Sequence, residues 1–307
     1  MNWTSIINLA LLLSTVLALG ALSGYFSERV GIANISIDGQ MIFAALSFCI
    51  FGELLYPYVK DAGFIIPMLL AMIMTLIASS LFGFLTITLK ANQIVAGTAI
   101  NLTFLGLGTF LTEPLGPLLT NGQHTKLQSN FSQLGLIDGT SIFIGTILIF
   151  IVIMLIIVGL YIMMRYTPFG LRLRAIGNNP NAVDAQGISV TKYQWYAISI
   201  SGLLAGLAGA LYMYNLGGVF AGNVNGFGFL SLAILIAGSW KIPMVAAVAI
   251  VFAFITKIFD QLTIQSNLDK DVAKIVPYAI TLGAMILFSK YNIAPKNIGI
   301  PFDKAKR

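Results

Sequence analysis

Charge is scarce in this sequence. Only 9% of its 307 residues are Asp, Glu, Lys or Arg, too few to cover a water-soluble globule. One cysteine, Cys49, excludes an internal disulfide, and one histidine, His124, excludes a multi-histidine metal site. No Gly-Lys pair occurs, so the chain has no phosphate-cradling loop of the G-x-x-x-x-G-K-[ST] kind and cannot be its own ATPase of that class. H-E-x-x-H and G-x-S-x-G are missing too, which leaves no nucleophile and base set, no catalytic residue to name and no metal site. The reading is a non-enzyme without a cofactor of its own.

What remains is apolar. Residues of that kind make up 58% of the chain, and the mean hydropathy of +0.91 belongs to a protein of the bilayer. A hydrocarbon core about 30 Å thick takes roughly 20 apolar residues per helix. Candidate spans fall at about 5–25, 41–57, 63–87, 92–112, 140–164, 195–215, 227–240, 242–261 and 275–290. The first lacks a basic leading region and reads as a retained helix rather than a cleaved signal. The seventh is short; with the eighth it forms either a hairpin or one helix broken at Lys241-Ile242-Pro243. The expected fold is all-α, a polytopic membrane protein of about 8–10 transmembrane helices in a single domain covering 1–307.

Seventeen basic against eleven acidic residues give a net charge of +6. They sit in short clusters between apolar runs, so the excess orients the chain in the bilayer and does not signal nucleic acid. Arg29, Lys90, the loop at 165–194, Lys241 and the tail at 291–307 with Lys290 before it hold most of the basic side chains and belong to the cytoplasm. A polar stretch from Glu113 to Gly139 then lies outside, as does the N-terminus.

The loop at 165–194 contains a short-helix signature. Asn179 can cap, Pro180 takes the first helical position, Asp184 lies within, and Gly187 supplies a left-handed exit. A helix over about 180–186 is too short to stand alone in water and needs a docking surface. Two readings stay open: a loop lying on the bilayer with Arg172 and Arg174 near anionic headgroups, or a site for a cytoplasmic partner.

Polar residues at membrane depth are expensive and tend to line pathways. Glu28, Arg29 and Asp38 flank GIANISIDGQM at 31–41, and a second Gly- and Asn-bearing stretch, NLGGVFAGNVNGFG, occupies 215–228. Either these are paired broken helices around a midplane site, with Asn34, Asp38, Gln40, Asn101, Asn223 and Asn225 along the path, or the roles are structural. In the structural reading Ser36 or Asp38 caps the second helix, Glu28 pairs with Arg29, and 215–228 is an external turn. Asp260 has Lys257 three residues earlier and can pair with it, and Glu53 near a helix end can reach water. Gly20 and Gly24, and Gly202, Gly206 and Gly209 with their alanines, mark close helix packing, within the chain or against a second copy.

Five segments, SERVGIANISIDGQM at 27–41, ANQIVAGTAINL at 91–102, RAIGNNPNAVDAQGIS at 174–189, SGLLAGLAGALY at 201–212 and GFGFLSLAILIAG at 226–238, carry a resemblance. Over roughly residues 20–290 the chain resembles permease subunits of bacterial ABC importers of the branched-chain amino acid, simple sugar and nucleoside superfamily. It is most similar to the shorter permease of systems with basic-membrane-protein-type nucleoside receptors; the family usually has glutamate where Asp38 stands. The resemblance implies alternating access driven by ATP and magnesium in a separate ATP-binding subunit. A second, homologous permease and an extracytoplasmic solute-binding lipoprotein complete the expected assembly in the bacterial plasma membrane. The loop helix is then similar to a coupling helix, which assigns coupling to Arg174, Gly177, Asn179, Pro180, Asn181, Ala182, Asp184, Ala185 and Gly187. Simple sugars and branched-chain amino acids are the alternative solutes, and an ion-coupled secondary transporter is the rival of another class.

Overall fold

The computed structural model describes residues 3–59, 63–120, 122, 125–129, 131, 139–216, 218–266, 279, 283 and 294–304. Seven helices are long and apolar enough to cross a membrane: α1 Trp3–Glu28, α2 Ile37–Val59, α3 Ile65–Gly83, α4 Gln93–Leu119, α5 Gly139–Tyr166, α8 Val190–Leu216 and α10 Ile242–Ser266. The shorter α6 Pro168–Asn178, α7 Pro180–Ala185 and α9 Phe227–Ala237 fall between them, and α3 continues through a wide π-type turn at Phe84–Thr88. The domain is all-α and polytopic. His124 and, apart from residues 279 and 283, the candidate span at 275–290 lie outside the described residues.

Two helices form the centre. In α1, 78% of the most apolar window is buried, and in α8 72%, against 17% in α5; α5 therefore lies at the periphery of the chain. Small residues explain how the centre closes. A Cβ on Gly20 would lie 2.5 Å from Ser231 Oγ of α9, and one on Gly209 2.2 Å from the Met41 carbonyl oxygen of α2. Gly202 and Gly206 give the same close approach to Ser79 and Met72 of α3. The small-residue faces are thus used inside the chain.

Several boundaries differ from the sequence reading. The loop at 165–194 is mostly helical. Thr167 accepts the Gly170 amide, Pro168 opens α6, and Gly170, Leu173, Ile176 and Gly177 form a buried stripe. Arginines between these positions hide the stripe in the sequence. At the other end α4 runs through Pro114 and Pro117 to Leu119, so part of the supposed external stretch is helix. Glu53 is buried, with 8% of its surface exposed, because α2 continues past it to Val59; it does not lie open to water. Lys257 pairs with Asp260 at 2.8 Å, as the spacing predicts.

The seventh and eighth spans form a hairpin of unequal arms. At about 1.5 Å per residue, α9 covers about half of the hydrocarbon thickness. It ends in a turn at 238–241 where Ser239 and Trp240 both take left-handed backbone angles. At one end of the helices, Gln128–Ser129 pairs antiparallel with Gly218–Val219. At the opposite end, the tail crosses the helix ends: the Asn297 amide donates to the Gly177 carbonyl, the Gly299 amide to the Gly31 carbonyl, and Lys90 pairs with Asp303. Among the described residues, Arg29, Arg165, Arg174 and Lys241 line one pocket, and Lys90 is tied to the tail at the same end.

Candidate translocation and coupling site

The chain between α1 and α2 is irregular backbone, which inside a membrane protein must find partners among side chains. It finds them on two other helices. Gln93 of α4 accepts the Ala33 amide at 2.7 Å, and Asn101 of α4 accepts the Gly39 amide at 2.7 Å while donating to the Ile35 carbonyl at 2.8 Å. The Asn34 amide group donates to Ser201 of α8, whose hydroxyl also meets Ser23 of α1. Asn34 in turn accepts from both the amide and the hydroxyl of Ser36, and Gln40 donates to the Ser36 hydroxyl. Asn34 and Gln40 are completely buried in this frame.

Asp38 does something the sequence reading did not anticipate. It lies in the first turn of α2, yet its carboxylate accepts the Gly228 amide at 2.9 Å, in the first turn of α9. That helix starts at Gly226, whose φ of 71° suits glycine and which has no side chain to cap with. Asp38 therefore caps α9, where a negative charge favourably meets the helix N-terminus. Ser36 gives its hydroxyl to Asn34, so neither candidate caps α2 by side chain. Glu28 and Arg29 both reach Trp240: the carboxylate accepts the indole N–H, and the guanidinium donates to the carbonyl.

The second stretch is no simple external turn. From the strand at Gly218–Val219, whose neighbour Phe220 donates to the Leu127 carbonyl, it passes along α4. A Cβ on Gly222 would lie 2.8 Å from Thr109 Cα. Asn223 accepts the Asn225 amide, and Asn225 donates to the Tyr212 hydroxyl at 2.9 Å. The stretch then delivers α9 to Asp38. The two broken stretches are thus joined at the starts of α2 and α9. Of the six polar positions singled out in the sequence, Asn34, Gln40 and Asn101 share one buried frame and Asp38 links it to α9. Asn225 is exposed and Asn223 half-buried beside the exposed Thr109 of α4.

Tyr212, Ser201, Gln93 and Trp240 belong to this construction and were missed. A tyrosine or serine in an apolar run gives no local sign of its partner. Thr98, Leu102, Leu105 and Thr109 were also missed, although their spacing puts them on one exposed face of α4.

At the end where the tail crosses, α7 forms as its residues predict. Asn179 accepts the Ala182 amide at 3.1 Å, Pro180 opens the helix, and Gly187 takes a φ of 79°. Pro180 and Val183 are buried against the domain, while Asn181, Ala182 and Ala185 face outward. Asp184 is turned from that face, with 9% side-chain exposure and Lys304 at 3.9 Å. Arg174 and Gly177 lie behind α7: the first lines a basic pocket, and a Cβ on the second would strike the Arg29 carbonyl at 2.4 Å. A cleft of about 530 Å³ opens beside α7, with Leu171, Asn179, Ala182 and Gln186 among its walls. Among the described residues no three His, Cys, Asp or Glu side chains come together to hold a metal.

Comparison with known proteins supplies the context. The chain is 32% identical to the nucleoside ABC transporter permease protein NupC of Lactococcus lactis, over 96% of each chain. It is 30% identical to the guanosine ABC transporter permease protein NupQ of Bacillus subtilis, over 98% of this chain and 97% of the relative. An uncharacterized protein of Mycoplasma genitalium is 35% identical over 96% of each. No solved structure matches. The family model for the branched-chain amino acid transport system / permease component matches residues 6–285. With seven apolar helices, this makes the chain a multi-pass protein of the bacterial plasma membrane and a transport subunit, not an enzyme. The chain belongs to the branched-chain amino acid transport system permease family, and is the permease subunit of an ABC importer.

Proposed function

We propose that this chain is one of two permeases in an importer for nucleosides, driven by a separate ATP-binding subunit that carries the ATP and magnesium. The likeness to nucleoside and guanosine permeases along nearly the full length carries this reading. The polar groups around the joined helix starts agree with a solute rich in hydroxyls and ring nitrogens. Asn223, Asn225 and the threonine face of α4 lie on the surface that such a solute passes; Asn34, Asp38, Gln40 and Asn101 hold the path wall in shape from behind. The second permease covers the exposed face of α4, so the path runs between the two chains. A lipoprotein receptor delivers solute from outside.

The outward face of α7, Asn181, Ala182 and Ala185, is the docking footprint for the ATPase. Asn179, Pro180 and Gly187 shape α7, Arg174 and Gly177 seat it, and Asp184 ties it to the tail. Coupling then requires that the nucleotide-bound ATPase and the solute each prefer one of two conformations, since equal affinity shifts no population.

Proteoliposomes containing this chain, its partner permease, the ATPase and the receptor are expected to accumulate labelled guanosine only with ATP. Uptake of ribose or leucine in its place reassigns the solute. Accumulation by this chain alone under a proton or sodium gradient overturns the reading in favour of a secondary transporter. Ala182→Arg is expected to leave basal ATP hydrolysis intact and abolish uptake.

A further inference from the structure

Apart from Arg174, which seats α7, the transport reading leaves unused one strongly charged cavity of the described structure. Arg29 after α1, Arg165 near the end of α5, Arg174 in α6 and Lys241 before α10 line one pocket of about 240 Å³. That is well beyond the share of about 30 Å³ that one water takes in the liquid. No acidic side chain lines it, and among the described residues none of the four cations is in an ion pair. Glu28, next to Arg29, gives its carboxylate to the Trp240 indole. Four like charges gathered at one place repel one another unless an anion sits among them.

Arg29 points to the same need. Its guanidinium lies 5.0 Å from the Tyr25 ring centre and donates to the Trp240 carbonyl, yet its Nε is buried with no hydrogen-bond partner. A buried charged donor left unmatched is costly. An oxyanion with several acceptor oxygens satisfies it and its neighbours together, as arginine does with phosphate.

Position indicates who carries the anion. The pocket lies between the inner ends of α5 and α10, whose outer faces expose Leu155, Val158, Ile162 and Met244 toward the bilayer. Tyr161 and Trp240 flank the cations, and such amphipathic rings sit at headgroup level. A basic pocket between helices on the cytoplasmic side suits an anionic headgroup. We propose that this pocket binds a phosphate group, borne by an anionic lipid of the inner leaflet rather than by a free phosphate ester.

Native mass spectrometry of the full chain in detergent, titrated with phosphatidylglycerol or phosphatidylcholine, tests this. Saturable phosphatidylglycerol adducts are expected, with phosphatidylcholine far weaker. Arg165→Gln with Lys241→Gln should weaken phosphatidylglycerol binding about twenty-five-fold, about fivefold per charge removed. Lys126→Gln with Lys192→Gln, which removes as much charge elsewhere, should change it little. Arg165→Lys with Lys241→Arg should keep it, separating lost charge from misfolding. Displacement of the lipid by millimolar inorganic phosphate, or phosphate binding without lipid binding, overturns the lipid as bearer. Equal lipid binding by the wild type and the Gln pair overturns the site.

Discussion

Two irregular stretches lead into helices of this domain, and they are built in opposite ways. The one before α2 is fastened by side chains: Gln93, Asn101 and Ser201 reach in from α4 and α8 to meet its backbone or its own asparagine. The one before α9 is shaped by its own glycines, with Gly222 and Gly226 in left-handed conformations and Asn225 turned outward to Tyr212. A fastened stretch is buried as a wall, whereas the other leaves Asn225 exposed and Asn223 half-buried at the surface. Position in a broken segment is therefore not enough to make a residue part of a pathway. Burial and existing partners decide.

Substitutions can break this contrast. The largest effect is expected where the two stretches meet: a Cβ on Gly228 would lie 2.3 Å from Asp38 Cα, so Gly228→Val should leave little monodisperse protein on size exclusion. Asn34→Ala strips partners from Ser36 and Ser201 in a fully buried place. Each unmatched group costs about 1–3 kcal/mol, and a drop of several degrees in the thermal midpoint is expected. Asp38→Ala removes the cap of α9, worth about 1–2 kcal/mol, while Asp38→Asn keeps an acceptor and should lose less. Asn225→Gly, which keeps the left-handed φ of 53° and loses the bond to Tyr212, should cost least, about 1 kcal/mol, yet lower guanosine uptake in proteoliposomes. If Asn225→Gly destabilised the domain as much as Asn34→Ala, the contrast between wall and lining would be gone.

How much of this was legible in the sequence depended on distance along the chain. The Asn179-Pro180 start and Gly187 exit of α7 are local chemistry, and they formed as read. So did the pairing of Lys257 with Asp260 within one turn. Asp38 was singled out correctly as polar at depth, but its partner Gly228 is 190 positions away, and no local pattern reports that. The Glu28 and Arg29 contacts with Trp240 were hidden for the same reason. The π-type turn at Phe84–Thr88 and the run of α4 through two prolines override local propensity by tertiary packing, Gly116 lying against the backbone of Lys126. The small-residue faces announced close approach without saying to what; the structure answers α2, α3 and α9.

The strip at 294–304 has a mechanical meaning. It is stitched to the end of α6 at Gly177, to the bend at Gly31, to Lys90 ahead of α4, and to Asp184 of α7. Its two main-chain links join the end of α6 to the bend after α1, so whatever shifts α6 must drag this strip along or tear one of them, while α7 is held to it only by the Lys304–Asp184 pair. A force arriving at the end of α6 is thus shared at once among the bases of several helices, like a load spread by a washer beneath a bolt.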